Sequence, residues 1–137
     1  MDIQDYNKTI IEEFRANDGK IGGQFEGASL LLLSTTGAKS GLMRTNPLAY
    51  LADGANFVVV ASFAGAPTSP PWYHNLLANP DVEVEVGAER IAVQAEVVEE
   101  PERSALYEKM ESVMPAFSEY RSKTTRLIPV VKLIRRN

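Results

Sequence analysis

The chain has 137 residues, a net charge of −4 and no cysteine. That length suits one domain, since domains run to about 100–150 residues at the mode, and it can bury a core without disulfide or metal staples. The missing cysteines exclude disulfides, thiol catalysis, iron–sulfur clusters and thiolate zinc sites, and the acidic balance argues against a nucleic-acid partner, which calls for a basic excess.

His74 is the single histidine, so a dedicated transition-metal site is not expected. The first 17 residues mix polar, acidic and apolar side chains and do not read as a signal peptide. No apolar run approaches the length of a membrane span. A cytoplasmic location without stable membrane insertion is the expectation, and composition leaves the small-molecule partner and a homodimer or monomer open.

Ile3, Tyr6, Ile10, Ile11 and Phe14 recur at helical spacing, so residues 2–17 read as an amphipathic helix that packs on the core. Gly19, Gly22 and Gly23 then loosen the chain. Ser29–Thr35 reads as a strand, Thr36–Gly41 as a polar turn and Arg44–Leu51 as a second strand. Asp53-Gly54 is a hairpin signal before a third strand, Phe57–Ala61. Ser62–Thr68 is a loop by composition. Ser69 as N-cap and Pro70 at the first helical position predict a helix that Pro80 ends. Alternating Val82, Val84, Val86 and Ile91, Val93, Ala95, Val97 predict a second hairpin over 82–98. A helix then carries Leu106, Met110, Val113 and Met114, Pro115 breaks it, and a short helix covers Ala116–Ser122. Ile128–Ile134 reads as the last strand. Hairpins dominate and no βαβ unit is evident. The fold class expected is α+β, a single domain over 1–137 with a mostly antiparallel sheet curled into a barrel.

Four segments can carry chemistry. The turn Gly37-Ala38-Lys39-Ser40-Gly41 with Arg44 combines backbone that can approach a ligand with cationic and hydroxyl donors, which suits a phosphate or carboxylate. It is not a Walker A loop, and spacing alone leaves a plain solvated turn open. The Gly/Ala/Pro loop Ser62–Thr68 runs into a helix N-terminus, whose small residues and free N–H groups suit a flat ring or an ordinary connection equally. On the following helix Trp72 reads as a core anchor, and His74 has no evident carboxylate partner. Phe117 and Tyr120 suit an apolar pocket or the core. No Gly-x-Ser-x-Gly elbow or triad is indicated.

Several motifs in order carry a resemblance over about Ser29 to Val131. They are Leu32–Gly41, Arg44-Thr45-Asn46-Pro47-Leu48, Val59–Ser62, Pro71–Leu76, Asn79–Val82 and Ile128–Val131. Together they resemble the deazaflavin (coenzyme F420)-dependent nitroreductase family, within the flavin-binding split-barrel superfamily. The resemblance implies a split β-barrel flanked by helices. It implies that Lys39, Ser40 and Arg44, with Thr45, Asn46 and Pro47, bind the phosphate and acidic tail of the coenzyme. It implies that Ala61, Ser62, Phe63, Ala64 and Gly65 cradle the ring, and that Trp72 and Asn75 shape the same pocket. Ser62 and Tyr120 are the candidate catalytic side chains for proton delivery. Members commonly have Lys-Gly-Gly after the serine of the ring loop, where this chain has Phe63-Ala64-Gly65. Met114 and Phe117 replace two tyrosines of nitroimidazole-reducing members. The implied activity is hydride transfer from reduced F420 to an enone, lactone, quinone or nitro compound. FMN on the same fold, or a non-catalytic carrier of coenzyme or apolar ligand, are the alternatives.

Overall fold

The computed structural model describes residues 3–17 and 29–136, with the side chains of residues 3–6 and of Ala64 outside the description. The expectations for the side chains of Ile3 and Tyr6, and for Gly19, Gly22 and Gly23, therefore lie outside the description. Among the described residues the elements run α1 (Ile3–Ala16), β1 (Leu30–Thr36), β2 (Met43–Ala49), β3 (Leu51–Asp53), β4 (Asn56–Val60), α2 (Pro71–Ala78), β5 (Asp81–Val86), β6 (Glu89–Val97), α3 (Glu102–Val113), α4 (Ala116–Ser122) and β7 (Val130–Arg135), with a 3-10 turn at Phe63–Gly65.

The seven strands form one sheet in the order β2-β1-β5-β6-β7-β4-β3, every pairing antiparallel. Its two edge strands, β2 and β3, follow each other in the chain with only Tyr50 between them. In a flat sheet, six steps of about 4.8 Å would hold those edges about 29 Å apart, whereas one residue spans at most about 3.6 Å. The sheet is therefore curled so that the end of β2 lies beside the start of β3, although the two edges do not pair. The expected second strand, Arg44–Leu51, is accordingly two strands, because the chain changes edge at Tyr50. Pro47, which cannot donate to a ladder, lies on an edge strand, where proline is tolerated.

Successive residues of a strand face opposite sides of a sheet. Leu31 and Leu33 of β1, Val59 of β4 and Val131 and Leu133 of β7 join Val82, Val84, Ile91, Val93, Trp72 and Leu76 in the interior. Their neighbours Val58, Val60 and Val130 pack outward on Tyr107 and Met110 of α3 and Phe117 of α4. Leu32 packs outward on Ile10 and Phe14 of α1. Helices thus cover the outer faces of β1, β4 and β7, and Leu30–Leu33 and Phe57–Val60 are accordingly apolar on both faces, whereas β7 carries Lys132 outward to Glu102 of α3. The outer faces of β5 and β6 meet water, so those strands alternate apolar residues with polar ones.

The start of α2 lies one residue later than expected. Pro70 is its N-cap and Pro71 its first residue. A residue followed by proline is pushed out of the helical region, and Pro70 is extended (φ −68°, ψ 155°) for that reason.

Arg15 ties α1 to β5, donating from Nε to Glu85 Oε1 (3.1 Å) and from Nη2 to Oε2 (2.8 Å). These hydrogen bonds hold the Glu85 carboxyl below the usual glutamate range, against the opposite push of burial. A carboxylate with a depressed folded pKa stabilises the folded state above its unfolded pKa and stops doing so as pH falls through the folded value. The tie is expected to be complete at neutral pH and to fade as acidification passes below the ordinary value of 4.5. The protection of the α1 amides, taken relative to intrinsic exchange at the same pH, should therefore fall in acid. In Glu85→Gln that protection should already be low at pH 7 and lack the acid-dependent step.

Candidate functional site

The curled sheet, α1, α2 and α4 enclose a cavity of about 710 Å³, within the range of small-molecule sites. One wall is the half-exposed edge strand β2, through Met43 to Ala49. Asn7, Lys8 and Ile11 of α1 form a second side, and Pro71, Trp72 and Asn75 of α2 a third. Ser62 and Phe63 of the loop after β4, with Phe117 and Tyr120 of α4, complete it. The charged side chains of this lining are Lys8 and Arg44, with no carboxylate among them. A chain of net charge −4 therefore presents a cationic wall here. Neither Lys8 nor Arg44 forms an ion pair with a described residue.

Antiparallel register places Arg44 opposite Thr35, Thr45 opposite Ser34 and Asn46 opposite Leu33. Directly opposed residues share a face of the sheet, and the Ser34 and Thr45 hydroxyls bond each other at 3.0 Å. Asn75 is a buried side chain with both ends used. Its Oδ1 accepts from the Ala38 N–H (2.9 Å), and its Nδ2 donates to Thr35 Oγ1 (3.0 Å). It thereby pins the end of β1 and the start of the β1–β2 turn to α2. Gly41 (φ 71°) completes that turn in the left-handed region, which favours glycine. Lys39 and Ser40 are exposed at its tip, outside the cavity lining, and the Ser40 hydroxyl accepts locally from the Leu42 N–H (3.2 Å).

The loop after β4 begins at buried Ala61, whose N–H donates to Pro129 O (2.9 Å). Ser62 is only 6% exposed, and its hydroxyl makes no hydrogen bond with a described residue. Phe63 has φ 48°, a backbone region that few residues other than glycine, asparagine and aspartate adopt, and its ring is half exposed at the cavity. Gly65 has φ 82°, and a Cβ there would lie 2.9 Å from the carbonyl oxygen of Tyr120. Only glycine lets the loop lie this close to α4. That approach brings Tyr120 beside the loop, where its ring meets Phe117 edge-on at 5.2 Å.

Of the predicted site residues, the cavity gathers Arg44, Thr45, Asn46, Pro47, Ser62, Phe63, Trp72, Asn75 and Tyr120. Ala61 and Gly65 are buried behind the lining, and Ala64 lies between them in the 3-10 turn. Trp72 is both a core anchor and a wall. His74 lies with its ring against Tyr73 and is not part of the lining.

Sequence reasoning missed three residues. Asn7 and Lys8 stand on the helix expected to pack on the core, and neither was singled out as a site residue. Arg126, between α4 and β7, donates from Nε to Ala66 O (3.0 Å), from Nη1 to Ser69 Oγ (3.3 Å) and from Nη2 to Ala61 O (3.2 Å) and Ser62 O (2.7 Å). Burial lowers its pKa below the ordinary arginine value, yet a guanidinium remains charged in proteins.

Removing a buried side chain that satisfies two partners costs about 1–3 kcal/mol. Asn75→Ala should destabilise by that amount in urea unfolding, because Thr35, 1% exposed, loses its donor. The turn bearing Lys39 should lose amide protection before β5 does.

Residues 6–134 match the family model of F420H(2)-dependent quinone reductase. An F420H(2)-dependent quinone reductase of Mycobacterium tuberculosis is 46% identical over 127 residues, covering 90% of this chain and 85% of that protein. Among solved structures, an F420-H2 dependent reductase aligns with a TM-score of 0.70 at 38% identity, over 77% of this chain and 93% of its own. Another, described as a domain-swapped dimer, aligns with a TM-score of 0.73 at 32% identity, over 96% of this chain and 99% of its own. The split barrel and the dependence on the deazaflavin coenzyme expected from the sequence are borne out: the chain belongs to the F420H(2)-dependent quinone reductase family.

Proposed function

We propose that this cavity holds coenzyme F420 against a quinone-like acceptor, and that the protein is a reductase of such acceptors. The observation that carries the reading is the asymmetry of the lining, cationic at Lys8 and Arg44 and aromatic at Trp72, Phe117 and Tyr120. Phosphate and carboxylate groups suit the first side, and a flat conjugated ring the second. When bound, the reduced deazaflavin supplies a hydride.

The protein's own residues bind, orient and exclude water. Arg44 and Lys8 take the acidic part of the coenzyme, and Lys39 and Ser40 at the turn tip extend that surface outward. Ser62 and Phe63 offer backbone and side chain to the ring, and Trp72, Pro71 and Phe117 keep water from it. Two hydroxyls stand at the cavity without a described hydrogen-bond partner, those of Ser62 and Tyr120. Either can donate the proton that an acceptor needs after taking a hydride. Phe63 replaces a cation with an aromatic face, which favours an apolar ring as the second ligand. Enones, lactones and nitro compounds are secondary acceptors in this reading. Its remaining parts are a cytoplasmic location, which rests on the sequence alone, and a homodimer, which the solved relative described as a domain-swapped dimer supports.

Titration of the purified protein should quench or shift F420 fluorescence with saturation, and no response at high micromolar coenzyme would overturn the reading. In Arg44→Ala the affinity should fall by about 1.5–3 kcal/mol, the worth of a hydrogen bond to a charged group. Unchanged affinity would place the anion site elsewhere.

A further inference from the structure

Arg126 lies outside the cavity lining, and a role for it in the reaction rests on the coenzyme reading of that cavity. The segment from Ala61 to Ser69 is mostly irregular, so its carbonyls cannot be satisfied by a ladder and must find other donors. Arg126 supplies them to three carbonyls and one hydroxyl of this single loop, using all three guanidinium nitrogens. It forms no ion pair with a described carboxylate, so its charge is directed wholly at the loop.

The bonded carbonyls include those of Ala61 and Ser62, which share peptide planes with the N–H groups of Ser62 and Phe63. A trans peptide directs its N–H opposite to its C=O. A guanidinium holding both carbonyls on one side therefore turns both N–H groups to the other. Neither amide has a backbone acceptor among the described residues, and Ser62 and Phe63 are the loop residues that line the cavity.

We propose that Arg126 is the positioning residue of this reductase: by gripping the carbonyls of Ala61, Ser62 and Ala66 and the Ser69 hydroxyl, it presents the Ser62 and Phe63 amides and the Ser62 hydroxyl to the coenzyme ring. Its planar fork of five donors is what the task requires. A lysine ammonium is a compact point charge with three donors and cannot reach acceptors arrayed in this way.

The test compares wild type, Arg126→Lys and Arg44→Ala, with turnover measured using reduced coenzyme F420 as hydride donor and a water-soluble naphthoquinone as acceptor. Arg126→Lys should lower kcat at saturating coenzyme by about tenfold or more, the effect of a misplaced reacting group, with KM for the quinone little changed. Arg44→Ala should instead act chiefly on coenzyme affinity, which distinguishes a lost grip on the coenzyme from a misplaced ring loop. In the coenzyme-free protein, Arg126→Lys should speed amide exchange at 62–69 while β1 and β5 keep their protection. A folded Arg126→Lys protein with a lower Tm but unchanged kcat would overturn the proposal, since it would make Arg126 a stitch and nothing more. If Arg126→Lys does not fold, the wild type decides. Slower exchange of the Ser62 and Phe63 amides when F420 binds supports the proposal, and unchanged exchange overturns it. Failure of the wild type to bind F420 would instead overturn the coenzyme reading and, with it, a proposal built on that reading. Binding by the wild type with unaltered kinetics in Arg126→Lys would sink the proposal alone.

Discussion

The passage of the chain through Tyr50 is the constraint on which the architecture depends. One residue joins the two edges of a seven-stranded sheet, so the sheet has no flat alternative. Tyr50 is held at the crossing by its N–H on Ser29 O (3.1 Å) and by its ring edge-on to Phe57 at 5.5 Å. Closure gives the sheet an inside, which Leu31, Leu33, Val84 and Val93 fill. It also leaves β2 as a strand with one open flank. Along that flank lie Arg44, Thr45, Asn46 and Pro47, where a ligand can reach them.

Two polar side chains turn that flank into a defined site, and both act on backbone. Asn75 spans from α2 to the turn before β2, while Arg126 spans from the segment before β7 to the loop after β4. Turns and loops have no ladder to fix their carbonyls and amides, so their shape depends on such side chains. The turn before β2 and the loop after β4 are in this sense each held by one residue from elsewhere in the fold.

Much of this architecture could be read from the residues. Alternation in 82–98 identified a half-exposed hairpin, and the apolar segments of β1, β4 and β7 were legible as strands, with the helices on their outer faces seen only in the structure. The position of α2 was off by one residue because the rule for proline at a helix start competed with the rule for a residue before proline. Arg126 could not be found by spacing, since its acceptors lie 57 to 65 positions away and three of the four are backbone carbonyls. Composition identified the Lys39 turn as rich in donors but carried no information on direction, and the turn tip lies outside the lining. Lys8 was hidden by its helix, because a residue beside a packed stripe can equally face solvent or a cavity.

The docking of α1 on the barrel has a thermodynamic meaning beyond packing. Asn7, Lys8 and Ile11 are part of the wall, while Ile10, Phe14 and Arg15 hold the helix in place. A ligand that touches the first set is bound only when the second set is engaged. Occupancy of the cavity and seating of the helix are then linked functions, each strengthening the other by the same free energy. The Arg15–Glu85 pair lines no part of the cavity, yet it holds in place the helix that does.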